Sequence, residues 1–126
     1  MIKDYHKHSE ELLKQLPKGV FITVKGEDKT NTMTIAWGHI GVIWGKPVFI
    51  AYVRYSRYTY DLLRTAKDFT INVPINQDLK EALKLAGTKS GRDIDKFKEA
   101  NITQKPSLKI TSPGIKECAL NYECEI

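Results

Sequence analysis

Cysteine is scarce in this sequence, and its spacing organises nothing. Only Cys118 and Cys124 occur among 126 residues. Six positions apart, they form neither a CxxC redox pair nor a zinc-binding pattern. On one straight strand they would face the same side but stand roughly 20 Å apart, too far for a disulfide. They read as reduced thiols, and a cytoplasmic location is expected. Long apolar runs are missing too, and nothing approaches the ~20 residues of a membrane helix. The opening Met1-Ile2-Lys3-Asp4-Tyr5-His6 has no apolar stretch of the kind a secretory signal needs. No membrane partner is expected. The absence of GxGxxG argues against a Rossmann dinucleotide domain. Gly87-Thr88-Lys89-Ser90-Gly91 superficially looks like a P-loop, but GxxxxGK[ST] is absent, which removes an NTPase reading. His6 and His8 are two apart on a helical stretch and His39 stands alone, so no metal site and no nucleophilic triad can be assigned.

What is present suits one domain, taken as 1–126. Residues are 41% hydrophobic and 28% charged, ordinary for a globular chain. The net charge of +5 favours anionic partners, phosphorylated cofactors or nucleic acid. The 20 Lys and Arg are interspersed with 15 Asp and Glu, which fits a solvated mixed surface.

Periodicity predicts helices over 3–16, 59–67, 78–86 and 91–100. The third is the cleanest, with Leu79, Ala82, Leu83 and Ala86 at i, i+3, i+4 and i+7. Strands are expected at 20–24, 32–37, 48–53, 69–73 and 118–126, with a possible one at 107–110. The 48–53 run is continuously apolar and reads as buried on both faces. Gly38, Gly41 and Gly45 divide the preceding stretch into short pieces, and Gly45-Lys46-Pro47 signals a turn. Strands outnumber helices, so the fold class is mainly β or α+β, a barrel with short peripheral helices.

Three stretches could carry chemistry. Asn31-Thr32-Met33-Thr34-Ile35-Ala36-Trp37 is a strand whose small residues would let a planar ring approach the backbone; an ordinary strand with Trp37 in the core is the alternative. Arg54-Tyr55-Ser56-Arg57-Tyr58-Thr59 joins a strand to a helix, so two arginines and a helix start could cradle a phosphate. Ser56 or Thr59 could equally serve as a simple cap. Ser90 and Asp93 have the form of a capping box, or belong to a loop that reaches a ligand.

In their order along the chain these stretches resemble the flavin reductase-like, FMN-binding split-barrel family. The matching pieces are Pro17-Lys18-Gly19-Val20, the 31–37 strand, Arg54 to Thr59, Asn72-Val73-Pro74, and Ser90-Gly91-Arg92-Asp93-Ile94-Asp95-Lys96-Phe97. The resemblance covers 15–126. It implies a split β-barrel and a homodimer with FMN near the subunit interface. It further implies an NAD(P)H-dependent flavin reductase or flavin-based electron carrier acting on a small-molecule acceptor. By position, Asn31 and Met33, Thr34, Ile35, Ala36 and Trp37 would line the flavin ring. Arg54, Ser56, Tyr58 and Thr59 would hold the phosphate and ribityl chain, and Ser90, Asp93 and Lys96 would approach from the later loop. Relatives often carry a cysteine just before the Gly-Thr pair; here it is Ala86, which removes a thiol role at that position. Relatives also continue for several strands beyond the position of Ile126. The edge left there would be covered by a partner subunit, or the sequence is a fragment or a shortened homologue. No catalytic side chain is expected, because the cofactor performs the hydride chemistry. Two further readings remain: a flavin-binding module without turnover, and a basic nucleic-acid-binding barrel, since 54–58 interleaves cations and aromatics.

Overall fold

The computed structural model describes residues 4–126. One antiparallel sheet organises it. Strands β1 (Val20–Lys25), β2 (Thr30–Ile35), β5 (Asp68–Val73) and β8 (Leu120–Glu125) lie in the order β2-β1-β5-β8. Strands β3 (Gly38–Ile43) and β4 (Lys46–Ala51) form a separate hairpin, and the short β6 (Gln104–Lys105) pairs with β7 (Gly114–Ile115). Helices α1 (Ser9–Gln15), α2 (Tyr58–Leu63), α3 (Lys80–Thr88) and α4 (Lys96–Glu99) surround the sheet. The chain is thus sheet-rich with short helices, as its sequence pattern predicts.

The strand period of two explains why both faces of the sheet are covered. Val20, Ile22 and Val24 of β1 point to one face, where Met33, Ile35, Ile71 and Val73 join Leu12 and Leu16 from the N-terminal helix. Phe21 points to the other, among Ala82, Leu83 and Ala86 of α3 with Phe97, Ile102, Ile115 and Cys118. Register places Thr23 opposite both Thr32 and Thr70 on that second face, giving it a buried polar stripe. Thr23 Oγ1 donates to Thr32 Oγ1 at 3.0 Å, so the stripe is hydrogen-bonded rather than orphaned.

Several boundaries differ from expectation. The first helix starts at Ser9; residue 3 lies outside the described residues, and 4–8 form bends and turns. Residues 91–94 turn instead of coiling, and α4 begins only at Lys96. Its cap is Asp95, whose Oδ1 accepts from Phe97 N and Lys98 N, not the Ser90/Asp93 pair. The glycine-rich stretch forms a continuous strand, because a two-stranded ladder tolerates glycine: a Cβ at Gly41 would meet nothing within 4 Å. The turn falls one residue earlier than its sequence signal, at Trp44 and Gly45, whose φ values of +54° and +73° suit a two-residue hairpin turn. Residues 48–53 are half-buried or exposed rather than enclosed, because β4 pairs only with β3. No strand forms at 107–110; Glu123 instead accepts from Leu108 N and Lys109 N, both at 2.8 Å. Cys118 precedes β8 and packs in the second core, while Cys124 sits in β8 opposite Phe69. Burial, with a nearby carboxylate, pushes each thiol up to about 12.

Candidate functional site

Because β2 is an edge strand, one side of its backbone has no strand partner among the described residues. The chain leaves β2 at Ile35 and passes through Ala36 and Trp37 before the hairpin begins. The far end of the hairpin, Ala51 to Arg54, returns alongside. Between them lies an open cleft of about 630 Å³ lined by Met33, Thr34, Ile35, Ala36 and Trp37, by Ala51 to Arg54, and by Arg57 and Gly87. That volume lies in the usual range of small-molecule sites.

Packing against α3 fixes the cleft floor. Thr34 Oγ1 donates to Leu83 O at 2.6 Å. Two glycines allow this approach: a Cβ at Gly19 would stand 3.0 Å from Thr34 Cγ2, and one at Gly87 would stand 3.2 Å from Thr34 Cβ. At the mouth, Arg54 lies over the exposed Trp37 ring, 5.9 Å from its centroid. Arg57 lines the cleft and donates through Nη2 to Gly87 O at 3.0 Å. No carboxylate pairs with either arginine among the described residues.

The remaining candidate residues stand elsewhere. Asn31 is buried and donates from Nδ2 to Thr59 Oγ1 at 3.0 Å, tying β2 to the start of α2. Thr59 therefore holds Asn31 and does not cap its helix. The N-cap position of α2 is Arg57, with no side-chain cap, and Ser56 is exposed beside it. Tyr58 faces a second cavity, with the Arg92 guanidinium 5.0 Å above its ring and Arg92 in turn paired with Asp61. Ser90 Oγ accepts from Arg92 N at 3.1 Å within a turn, and Asp93 lies at the second cavity. Lys96, which the family pattern brings toward the cofactor, is buried with its Nζ donating to Ala86 O at 2.8 Å. Burial, then the charge of Arg57, pushes its ammonium down to about 8.

The structure thus gathers Met33 to Trp37 with Arg54 and separates them from Asn31, Tyr58, Asp93 and Lys96. Tyr52, Val53 and Gly87 line the cleft without having been singled out. The apolar run at 48–53 reads as buried core, which conceals the first two. Gly87, by contrast, stands in the Gly-Thr pair and was a recoverable signal.

An edge strand, a hairpin folded beside it and a helix-walled cleft define a split-barrel protein, and comparison with known proteins agrees. The profile described as "Flavin reductase like domain" matches residues 13–126, and the chain belongs to that family. An uncharacterised protein of Archaeoglobus fulgidus is 33% identical over 110 residues, covering 87% of this chain and 61% of that protein. Flavoredoxin of Desulfovibrio vulgaris (Miyazaki F) superimposes with a TM-score of 0.78 at 25% identity, over 86% of this chain and 58% of the other. Flavoredoxin of Methanosarcina acetivorans gives 0.73 at 27% identity, over 86% and 56%. The chain therefore spans about three-fifths of the length of these proteins. Among the described residues no helix is long and apolar enough to cross a membrane.

Proposed function

We propose that the chain binds FMN in the cleft between β2 and the hairpin, as a flavin reductase-like oxidoreductase or flavin-based electron carrier. The observation that carries this reading is the edge of β2, with the following Ala36 and Trp37, facing a cleft with two arginines that no carboxylate pairs with among the described residues. An unpaired strand edge offers N–H and C=O groups to the polar rim of a planar ring. Arg54 and Arg57 match a phosphate's charge and shape. Thr34 and Gly87 leave the floor low enough for close approach. When bound, FMN supplies the hydride and electron chemistry. The chain's own residues orient it, with Trp37 and Tyr52 on the cleft wall. NAD(P)H is the proposed transient donor.

A homodimer in the cytoplasm is the proposed working form. Val42, Ile43, Trp44 and Ile50 are exposed on the hairpin, an apolar surface that a second copy would cover. The test is the absorbance spectrum of the purified protein before and after denaturation. A yellow protein that releases FMN and oxidises NAD(P)H supports the full reading. Release of FMN without NAD(P)H oxidation supports a carrier or a binding module. A colourless protein that does not take up added FMN contradicts both.

A further inference from the structure

A cavity larger than the cleft, about 930 Å³, opens beside it. The two meet at Thr34, which lines both. The larger one lies between the 16–18 turn, the 74–78 loop that follows β5, and the first turns of α3. Three lysines stand on its walls: Lys18 on the turn, and Lys80 and Lys84 on α3. All three are exposed, and none is in an ion pair among the described residues. Lys80 and Lys84 are four apart on the helix and so share a face. The single carboxylate in the lining is that of Asp78, whose Oδ1 accepts from Lys80 N at 3.0 Å. Three positive charges against one negative leave an excess of two around one concavity. Such a concavity concentrates anions, and a multiply charged phosphate suits several lysines at once.

Charge is only part of the lining. Ile75, Leu79 and Leu83 give it an apolar surface. Gln15, Asn76 and Gln77 add amides, which both donate and accept, although the Gln15 Nε2 is already given to Gly19 O at 3.0 Å. An inorganic anion would use the lysines and leave the rest idle. A nucleoside phosphate uses all of it, and the volume lies in the range of small-molecule sites.

We propose that this cavity is a nucleotide site separate from the flavin cleft, with the phosphates on Lys18, Lys80 and Lys84 and the base against Ile75, Leu79 and Leu83. The inference goes beyond the FMN reading and stands without it. Two sources share this chemistry. One is a free nucleotide. The other is the adenosine-phosphate half of a dinucleotide that reaches over Thr34 into the cleft.

The experiment is fluorescence anisotropy of N-methylanthraniloyl-ADP with the full chain, in the presence of excess FMN so that the cleft is blocked. The unaltered protein should bind the probe. Lys80→Gln with Lys84→Gln should bind it about threefold to tenfold more weakly, the scale of two exposed ion pairs. Both side chains are exposed, so the melting temperature and the FMN affinity should not change. Arginine at both positions should restore probe binding. Binding should weaken from about 50 mM to about 300 mM salt. ADP should displace the probe, and adenosine, which has no phosphate, should not. The two sources separate by competition. Displacement by NADP+ at lower concentration than by ADP, with a raised KM for NADPH in the glutamine variant, assigns the site to the dinucleotide. Tighter competition by ADP, with KM unchanged, assigns it to a free nucleotide. No binding of the probe, binding only when FMN is left out, displacement by adenosine as effective as by ADP, or undiminished binding by the glutamine variant would overturn the inference and leave the FMN reading standing. Failure to bind FMN would overturn that reading, while the probe titration would still decide this one.

Discussion

The segment 101–117 and the segment 36–57 are both short on regular helix, yet they treat their polar and apolar groups in opposite ways. Along 101–117 five backbone N–H groups, those of Leu108, Lys109, Thr111, Ser112 and Ile115, are tied to side chains of the sheet. Asp68 accepts from Thr111 N at 3.0 Å and Ser112 N at 2.8 Å. Asn72 Oδ1 accepts from Ile115 N and from Asn121 Nδ2, while Asn72 Nδ2 donates to Thr23 and Thr70. Glu117 holds Thr103 through both its N–H and its hydroxyl. Along 36–57 the exposed groups include Trp37, Trp44, Tyr52 and Tyr55, with Arg54 stacked over Trp37. The first segment anchors its backbone to the sheet and serves as scaffold. The second leaves large apolar surface and unpaired charge outward, the pattern of a binding region.

Breaking the scaffold should hurt stability most. Asn72→Leu strands the buried Ile115 N–H, removes one of the two acceptors of the Asn121 amide and cuts the link to the threonine stripe. A loss of about 2–3 kcal/mol is expected, from the buried N–H left without a partner and the broken network around it. Thermal denaturation measures it; a loss below about 1 kcal/mol would mean that the network is incidental. Next comes the packing of the 91–94 turn against β2 and α2. A Cβ at Gly91 would stand 2.3 Å from Asn31 Oδ1 and 2.8 Å from the Tyr58 ring. Asn31 is itself buried and bonded to Thr59, so it has nowhere to move. Gly91→Ala should therefore destabilise by about 2 kcal/mol through overpacking, measured in urea.

Asp68 gives a smaller, pH-dependent effect. Burial alone would raise its carboxyl, but hydrogen bonds from Ser112 and Thr111 outweigh burial and hold it below the ordinary 3.8. Its contribution to stability is complete above that value and is lost as pH falls below it. Asp68→Asn should lower stability at neutral pH and flatten the decline on acidification below about pH 4. An unchanged acid profile would mean that another carboxylate controls it.

Trp44 sharpens the comparison from the other side. It is 96% exposed at a φ of +54°, where asparagine before glycine is preferred. Trp44→Asn should leave monomer stability within about 0.5 kcal/mol or raise it slightly. Sedimentation should nevertheless shift toward monomer, because the hairpin would lose its largest apolar contact. Loss of stability without a change in association would assign Trp44 to the fold instead.

The sheet was legible in the sequence because β1, β2 and β5 are short, β-branched and almost wholly buried. The order of motifs identified the family, and profile comparison agrees. The helix 3–16 and the helix 91–100 were overextended because apolar spacing alone does not mark caps, and Asp95 was the decisive one. The cleft was half legible. Met33 to Trp37 and Arg54 converge as their sequence context suggests. Asn31, Thr59 and Lys96 are polar residues of the right type, but tertiary partners 28 and 10 positions away claim their side chains. Such pairings depend on where α2 and α3 pack, which local pattern does not encode.

The most direct test of the account is the affinity of Arg54→Ala for FMN and for riboflavin, compared with the unaltered protein. If the arginine end of the cleft receives the phosphate, FMN binding should weaken by about 1.5–3 kcal/mol, the scale of a hydrogen bond to a charged group, while riboflavin binding stays unchanged. Equal losses for the two ligands, or no loss for either, would contradict the placement of the phosphate at the arginine end of the cleft.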